Sequence, residues 1–143
     1  MEDRIVLAYD VGTQSSRALL INQRGEILAK SQVKHQEPYE SPNPDWAEKD
    51  ADFYYQKICQ ASQDLKKRYP EIFEKIEAAA ITTIRDTVVC VDRNGKPLRP
   101  AILWLDKRKA EGKPKFSQVT RMLFKAVGME ETANVQYQKS HCN

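Results

Sequence analysis

The chain has 143 residues, of which 41% are hydrophobic, and a formal net charge of +3. This length is sufficient for a domain with a buried core, and so small a charge, spread along the chain, gives no indication of a basic stripe for nucleic acid. No apolar stretch in these residues approaches the length that a membrane-spanning helix requires, so no membrane contact is expected.

The first third of the chain predicts three consecutive strands that form an antiparallel meander. The strands are predicted over residues 4–9, 16–21 and 27–33, and short polar turns separate them. Gly25, in the second turn, can adopt the positive φ that such a turn requires. Residues 35–49 carry three prolines and are predicted to form a loop.

A helix is predicted next, beginning near Asp50, a residue type that suits the N-cap. Pro70 ends this helix, and a short helical turn is predicted over residues 71–75. The residues that recur at helical spacing on its inward face are Tyr54, Ile58, Ala61 and Leu65.

Three further strands are predicted, of which the first is buried. It covers residues 78–84, where an apolar run lies between charged residues. The second covers residues 87–91, which are rich in β-branched side chains, and the third covers residues 101–104. Gly95 provides the left-handed residue of the turn between the second and the third.

The remainder of the chain predicts one more helix, over residues 119–127. Met122, Leu123 and Ala126 form its inward face, and Gly128 follows as its C-terminal cap. The last fifteen residues show no hydrophobic periodicity, so no element is predicted there.

Cysteine and histidine usage predicts a cytoplasmic protein without a metal cluster. The three cysteines, Cys59, Cys90 and Cys142, are far apart, and none has the spacing of a metal ligand. No secretory signal precedes them, so we expect reduced thiols. Of the two histidines, His35 is expected at the solvated end of a strand, and neither it nor His141 belongs to a group of ligands.

The turn between the first two strands has the composition of a phosphate-binding site. Phosphate binding needs several convergent donors, and a magnesium ion on the phosphate needs a hard carboxylate ligand. Asp10 supplies the carboxylate at the end of a strand, and we predict that it holds magnesium. The alternative is that Asp10 only forms the turn. The predicted phosphate-binding residues are Gly12, Thr13, Gln14, Ser15 and Arg17.

A second candidate site follows the predicted buried strand. Arg85 can donate to hydroxyl oxygens and Asp86 can accept from hydroxyl hydrogens, so this pair suits a polyol. The alternative is a solvated strand end. Trp104 is expected either in the core or as an apolar wall against the carbon face of a sugar.

Four other residues are assigned structural roles. Trp46 is expected to pack as a staple at the start of the first helix, and Glu48 to lie near the positive end of its dipole. Asp106 and Arg108, two residues apart, are expected to form an ion pair or a cap.

These motifs, in this order, resemble the FGGY family of carbohydrate kinases, and its glycerol kinase members most closely. The family's first phosphate motif, Asp-x-Gly-Thr-x-Ser-x-Arg, matches residues 10–17. Its Gly-Trp-Val-Glu segment is similar to residues 45–48, and the glycerol kinase string Asn-Gln-Arg-Glu-Thr-Thr is similar to residues 83–88. The string Gly-Lys-Pro-Leu…Ala-Ile-x-Trp-x-Asp-x-Arg matches residues 95–108 almost letter for letter.

The resemblance implies an α/β fold of the ribonuclease-H-like, actin-like ATPase class, present in part. A mixed sheet would start with the antiparallel meander and be flanked by helices, and residues 1–143 would form the N-terminal part of the first kinase domain. ATP and Mg2+ are implied as cofactors, and a sugar or polyol as substrate. The catalytic base is expected beyond Asn143, so the isolated chain should be inactive. The acceptor site is implied at Arg85, Asp86, Trp104 and Tyr137.

The sequence leaves the acceptor and the functional class open. Asp86 stands where glycerol kinases have glutamate, so the clamp is one methylene shorter and a longer polyol, a ketose or a sugar acid becomes a candidate acceptor. An actin-like or chaperone-like ATPase would share the first hairpin but would not need Arg85, Asp86 and Trp104. A third interpretation is a non-catalytic fragment, and an uncovered sheet edge would favour its pairing with a second copy as a homodimer.

Overall fold

The structure, a computed structural model, describes residues 4–108 and 116–140, and these form two compact units. The first unit contains the chain up to Pro38 together with residues 50–85, and the second contains residues 39–49 and the chain from Asp86 onward. In chain order the elements are β1 (Ile5–Val11), β2 (Ser15–Asn22), β3 (Ile27–Lys34), β4 (Glu48–Lys49), α1 (Phe53–Arg68), α2 (Pro70–Phe73), β5 (Ile76–Thr82), β6 (Ala101–Ile102), α3 (Gln118–Ala126) and α4 (Glu130–Ser140).

The first unit is built on a mixed sheet with the strand order β3-β2-β1-β5. The pairs β1–β2 and β2–β3 are antiparallel, which confirms the predicted meander, and its strands lie within two residues of the predicted ranges. Gly25 has a φ of +81°, the left-handed conformation predicted for the second turn. β5 lies on the other side of β1 and runs parallel to it, and α1 and α2 form the crossover connection.

α1 packs on this sheet and completes the core of the unit. Ala61 and Leu65 are fully buried, on the helix face that the sequence predicts. The N-cap is Asp52, which makes no side-chain capping hydrogen bond, whereas the carboxylate of Asp50, two residues earlier, accepts a hydrogen bond from the N–H of Asp52. Pro70 opens α2, where its fixed φ suits the first helical position. The core cluster consists of Ile5, Leu7, Ala18, Leu20, Ala29, Ala61 and Leu65.

The strand predicted over residues 78–84 is present with its bounds shifted by two residues, but its predicted burial is wrong. β5 occupies Ile76–Thr82, and every residue after Ile76 is exposed. The apolar run favoured burial because a parallel strand usually has a neighbour on each side. In the described part of the chain β5 pairs with β1 alone, so its other edge and its apolar side chains face solvent.

The second unit contains a short sheet in which β4 pairs antiparallel with β6. The prediction of a strand over residues 87–91 is wrong, since in the described structure Val88 and Val91 form only isolated bridges. The turn predicted at Gly95 is confirmed: its φ is +79°, and its N–H donates to the carbonyl of Asp92 at 3.1 Å.

α3 confirms the helix predicted over residues 119–127, but the predicted inward face is wrong. Met122 and Leu123 are 74% and 60% exposed, and Ala126 is exposed as well. Gly128, with a φ of +69°, lies just beyond the end of the helix, as a C-terminal cap requires. α4 falls where the sequence predicts no element, because its apolar residues do not recur at helical spacing.

Two of the three cysteines and one of the two histidines lie within the described residues. Cys59 and Cys90 are not in disulfides there, whereas Cys142 and His141 lie outside the described residues. Across residues 4–108 and 116–140, no helix combines the length and the apolar composition needed to cross a membrane.

Candidate functional site

The turn between β1 and β2 is fixed by backbone hydrogen bonds. The N–H of Gly12 donates to the carbonyl of Ser15 at 3.0 Å, which closes the turn on itself. The N–H of His35, at the end of β3, donates to the carbonyl of Gln14 at 2.8 Å. Ser15 is buried, while Gln14 at the tip of the turn is exposed and accessible to a ligand.

Asp10 and Arg17, predicted to bind magnesium and phosphate, contact each other. They are cross-strand partners in β1 and β2, and Nη1 of Arg17 lies 2.5 Å from Oδ2 of Asp10. Their side chains are 42% exposed for Arg17 and 43% for Asp10, so either can exchange this partner for a ligand. The pair could not be predicted from the sequence, because a spacing of seven residues becomes a contact only once the hairpin register is known.

The donors at this turn fit a magnesium ion. In phosphate sites magnesium is held by one or two carboxylates together with phosphate oxygens and water. Asp10 supplies an accessible carboxylate, and the hydroxyl-bearing residues Thr13 and Ser15 lie on the same turn. Among the residues that the structure describes there is no group of three or more histidine, cysteine or acidic side chains that could hold a metal by themselves.

An open cleft of about 490 Å³ adjoins the turn on its β3 side. The register of the sheet pairs Ser15 with Lys34 and Arg17 with Gln32. Lys34 and Gln32 lie outside the predicted motif, and only the strand pairing brings them beside it. With two cations on its wall, this cleft is suited to an anion. Its lining residues are Gln14, Ser15, Arg17, Gln32, Lys34, His35, Gln36 and Pro38.

The prediction that His35 lies at a solvated strand end is wrong, because only 6% of its surface is exposed. Nδ1 of its ring lies 2.8 Å from the carbonyl oxygen of Thr13, and Nε2 lies 3.0 Å from Oγ of Ser16. The rings of Phe53 and Tyr54, at the start of α1, meet the imidazole edge-on. The polar sequence around His35 gave no sign of this burial, since the covering residues come from α1.

Two predicted acceptor-binding residues, Asp86 and Trp104, line one open cleft of about 400 Å³ in the second unit. Nε2 of Gln136 in α4 donates to Oδ1 of Asp86 at 2.6 Å. Trp104 is 49% exposed, so it lies at the wall of the cleft and not in the core. Gln136 and Glu131 were missed because the sequence did not predict α4. The lining residues are Asp86, Trp104, Gly128, Glu131, Thr132, Val135 and Gln136.

The other two predicted acceptor-binding residues are not among those that line this cleft. Arg85 belongs to the first unit and is exposed, and Tyr137 is half-buried in α4, next to Gln136. The backbone gives a separate indication for Asp86, whose φ of +59° is unusual for a residue other than glycine. Such conformations concentrate at binding and catalytic sites.

Trp104 lies on a tight turn that is anchored to Ala47. β6 ends at Ile102, two residues earlier than predicted, because the N–H of Asp106 donates to the carbonyl of Leu103 at 3.0 Å and turns the chain. The N–H of Leu103 donates to the carbonyl of Ala47 at 2.9 Å, and the N–H of Ala47 donates to Oδ2 of Asp106 at 2.7 Å. Both ends of the turn that presents Trp104 are therefore fixed.

A buried ion-pair cluster, formed by Trp46, Glu48, Asp106 and Arg108, supports this turn. The guanidinium of Arg108 contacts both carboxylate oxygens of Asp106, donates to Oε1 of Glu48 at 2.8 Å, and lies 3.8 Å from the centroid of the Trp46 ring. Arg99 also donates to Oε1 of Glu48, at 2.9 Å. The predicted pairing of Asp106 with Arg108 is confirmed. Trp46 and Glu48 both contact Arg108, and their expected roles at the start of α1 stay predictions.

Asp106 is expected to make the stability of the fold depend on pH in acid. Burial alone would raise the pKa of this carboxyl, but hydrogen bonds from Arg108 and from the N–H of Ala47 outweigh burial and hold the pKa below its usual value. The pKa of Asp106 is lower in the folded chain than in the unfolded chain, where it is about 3.9. Ionised Asp106 therefore stabilises the fold at pH values above the unfolded pKa. This stabilisation is lost as the pH falls through the folded pKa. Urea denaturation at neutral pH and below about pH 4 should show a larger loss of unfolding free energy in the wild type than in Asp106→Asn. Equal losses in the two proteins would contradict the prediction.

Comparison with known proteins gives a family and curated relatives. The N-terminal domain of the FGGY family of carbohydrate kinases matches residues 5–132. A glycerol kinase from Oceanobacillus iheyensis is 34% identical over 113 residues, which cover 78% of this chain and 22% of that protein. A glycerol kinase from Herminiimonas arsenicoxydans is 37% identical over 131 residues, which cover 84% of this chain and 26% of that protein. The chain thus spans about a quarter of the length of these relatives.

Solved structures share the fold. The xylulose kinase from Rhodospirillum rubrum matches with a TM-score of 0.67 and 28% identity, over 73% of this chain and 21% of that one. The Plasmodium falciparum glycerol kinase with ADP matches with a TM-score of 0.59 and 23% identity, over 88% of this chain and 23% of that one. These neighbours have the actin-like ATPase fold, which confirms the fold class predicted from the sequence.

Proposed function

The chain belongs to the FGGY family of carbohydrate kinases, and we propose that its full-length protein transfers the γ-phosphoryl group of ATP to a hydroxyl group of a sugar or polyol. The family match over residues 5–132 carries this proposal. We further propose that residues 1–143 are the N-terminal part of the first kinase domain, since the chain spans 22% and 26% of the two glycerol kinases. The adenosine pocket and the catalytic base would then come from the rest of the protein, and the isolated chain would be inactive.

At the phosphate end, the turn would act by positioning and by neutralising charge. Arg17 and the donors of Thr13, Gln14 and Ser15 would bind the phosphates, and Asp10 would hold Mg2+. The ion, when bound, neutralises phosphate charge and favours displacement at phosphorus. The contact between Asp10 and Arg17 supports this assignment, because both groups are accessible and MgATP offers each of them a new partner of opposite charge.

At the acceptor end, Asp86 would accept hydrogen bonds from hydroxyl groups, and Trp104 would pack against the carbon face of the substrate. Asp86 already accepts from the amide of Gln136, a donor that a substrate hydroxyl can replace. Arg85 and Tyr137 are also proposed to bind the acceptor substrate, and for these two residues the proposal rests on the family resemblance alone. The relatives named glycerol kinase and xylulose kinase support a polyol or a sugar as the acceptor class.

The test is an acceptor screen with the full-length protein. The protein is incubated with MgATP and with polyols, ketoses and sugar acids, and ADP and phosphorylated product are both measured. We expect ADP and product in equal amounts with at least one acceptor class. Hydrolysis of ATP without product for every acceptor would overturn the proposal and favour an actin-like or chaperone-like ATPase. The 143-residue chain alone should give no product.

Replacing Asp86 by asparagine is expected to lower kcat/KM for the acceptor by roughly 10- to 100-fold, the worth of one charge-assisted hydrogen bond. Asparagine keeps the size of the side chain and tolerates the φ of +59°, so the loss reports the missing charge. The KM for ATP should not change. Steady-state kinetics with each substrate varied in turn measure both effects.

Asp45→Asn is the matched control for this variant. Asp45 also has a positive φ, +66°, and is exposed, so the same change of charge occurs in the same type of backbone. Its kinetics should equal those of the wild type. Wild-type kinetics in Asp86→Asn would remove Asp86 from the acceptor site.

A further inference from the structure

We propose that His35 is a positioning residue that holds the phosphate-binding turn in the conformation that receives ATP. This inference rests on the proposed function of the turn. His35 lies in none of the sequence motifs that resemble the kinase family, and its position beyond β3 is distant from the turn in the sequence. What connects the two is a set of contacts that only the folded chain displays.

One imidazole ring spans the turn. Nδ1 lies 2.8 Å from the carbonyl oxygen of Thr13, and because a carbonyl can only accept, Nδ1 is the donor. Nε2 is within hydrogen-bond distance of the hydroxyl of Ser16, 3.0 Å away. Thr13 and Ser16 flank Gln14 and Ser15, the residues proposed to meet the phosphates. The N–H of His35 adds a third contact, to the carbonyl of Gln14 at 2.8 Å.

The ring is itself held in place. His35 is 6% exposed, and Ser16 is fully buried. Phe53 and Tyr54 meet the imidazole edge-on, with ring centroids 5.0 Å and 5.8 Å away. The phenol of Tyr54 is neutral at physiological pH, and burial raises its pKa further. A turn fixed in this way does not have to be ordered when a phosphate binds, and such preorganisation strengthens binding.

His35→Phe separates the hydrogen bonds from the packing, since phenylalanine keeps a ring against Phe53 and Tyr54 but bonds neither Thr13 nor Ser16. In the full-length protein we expect the KM for ATP to rise about tenfold or more, with the KM for the acceptor unchanged. The Kd for MgATP, measured by calorimetry without acceptor, should rise in parallel.

Ser16→Ala removes one of the two ring contacts and should weaken ATP binding to a smaller extent. In the double variant the two effects should not add, because both single variants remove the same contact between Ser16 and His35. If His35→Phe does not fold, Ser16→Ala decides: a higher Kd for MgATP supports the positioning role, and a wild-type Kd overturns it.

Leu65→Ala is the matched control, since Leu65 is fully buried in α1 and makes none of the contacts described for the turn. It should lower the Tm without changing the KM for ATP. A wild-type KM for ATP in His35→Phe, or an equal rise in Leu65→Ala, would show that His35 is merely structural. A wild-type protein that binds no MgATP would instead overturn the proposed function, so the two failures are distinguishable.

Discussion

Replacing Asp10 by asparagine is expected to lower kcat of the full-length protein at least about 100-fold while leaving the fold almost unchanged. Asparagine has the size of aspartate but lacks the charge that would hold magnesium beside the phosphates. The fold should tolerate the change, because the pair of Asp10 and Arg17 is more than two-fifths exposed and exposed ion pairs contribute about 0–1 kcal/mol. Kinetics at varied magnesium and ATP concentrations, together with thermal unfolding, measure the two effects.

The chain offers a close control for this experiment. Asp64 and Arg68 in α1 form a pair of the same length, 2.5 Å, with side chains 44% and 42% exposed. Asp64→Asn should therefore change stability as little as Asp10→Asn does, and it should leave kcat at the wild-type value. Wild-type kcat in Asp10→Asn would exclude Asp10 from the phosphate site. A similar loss in both variants would attribute the effect to charge in general.

The first hairpin could be predicted from the sequence because its signals are local. Two apolar runs flank a short polar turn, and the pattern sets both the strands and the residue at the lip of the turn, Asp10. Gly25 marks the next turn in the same way, since few other residues accept a φ of +81°. These features depend on neighbours in the chain, and the structure moves their boundaries by no more than two residues.

The supports of the two candidate sites could not be predicted, because they join residues far apart in the chain. His35 contacts Thr13 across 22 positions, and Glu48 contacts Arg108 across 60. A polar residue in a polar segment predicts solvent exposure, and nothing nearby indicates the partner that buries it. The sequence predicts a structural role for Glu48, but its contact with Arg108 exists only in the folded chain.

The exposed apolar residues of β5 and α3 illustrate a second limit. Ile81 is 56% exposed and Met122 is 74% exposed, although both belong to segments with the pattern of buried elements. A pattern shows that an element has apolar side chains, and it does not show what covers them. The remainder of the proposed longer kinase would be one cover. Pairing of two copies through the free edge of β5 stays a prediction.

Arg108→Ala is expected to produce the largest loss of stability, about 3–5 kcal/mol of unfolding free energy. It leaves the carboxylates of Asp106 and Glu48, 0% and 11% exposed, without the guanidinium that compensates their burial. Glu48 keeps its contact with Arg99, so Asp106 bears most of the loss. The face of Trp46 also loses its cation. Urea denaturation of the chain measures the change.

One further variant separates charge from geometry in this cluster, and a second, at an exposed ion pair elsewhere, is the control. Arg108→Lys keeps the charge but cannot make the bidentate contact with Asp106, so an intermediate loss of unfolding free energy is expected.

Arg4→Ala removes the exposed ion pair between Arg4 and Glu77, whose side chains are 74% and 58% exposed. Its unfolding free energy should stay within about 0.5 kcal/mol of the wild type. Because Asp106 anchors the turn that presents Trp104, Arg108→Ala should also raise the acceptor KM of the full-length protein, and Arg4→Ala should not. Wild-type stability in Arg108→Ala would contradict the prediction, because it would mean that water or other donors compensate the two carboxylates without the guanidinium.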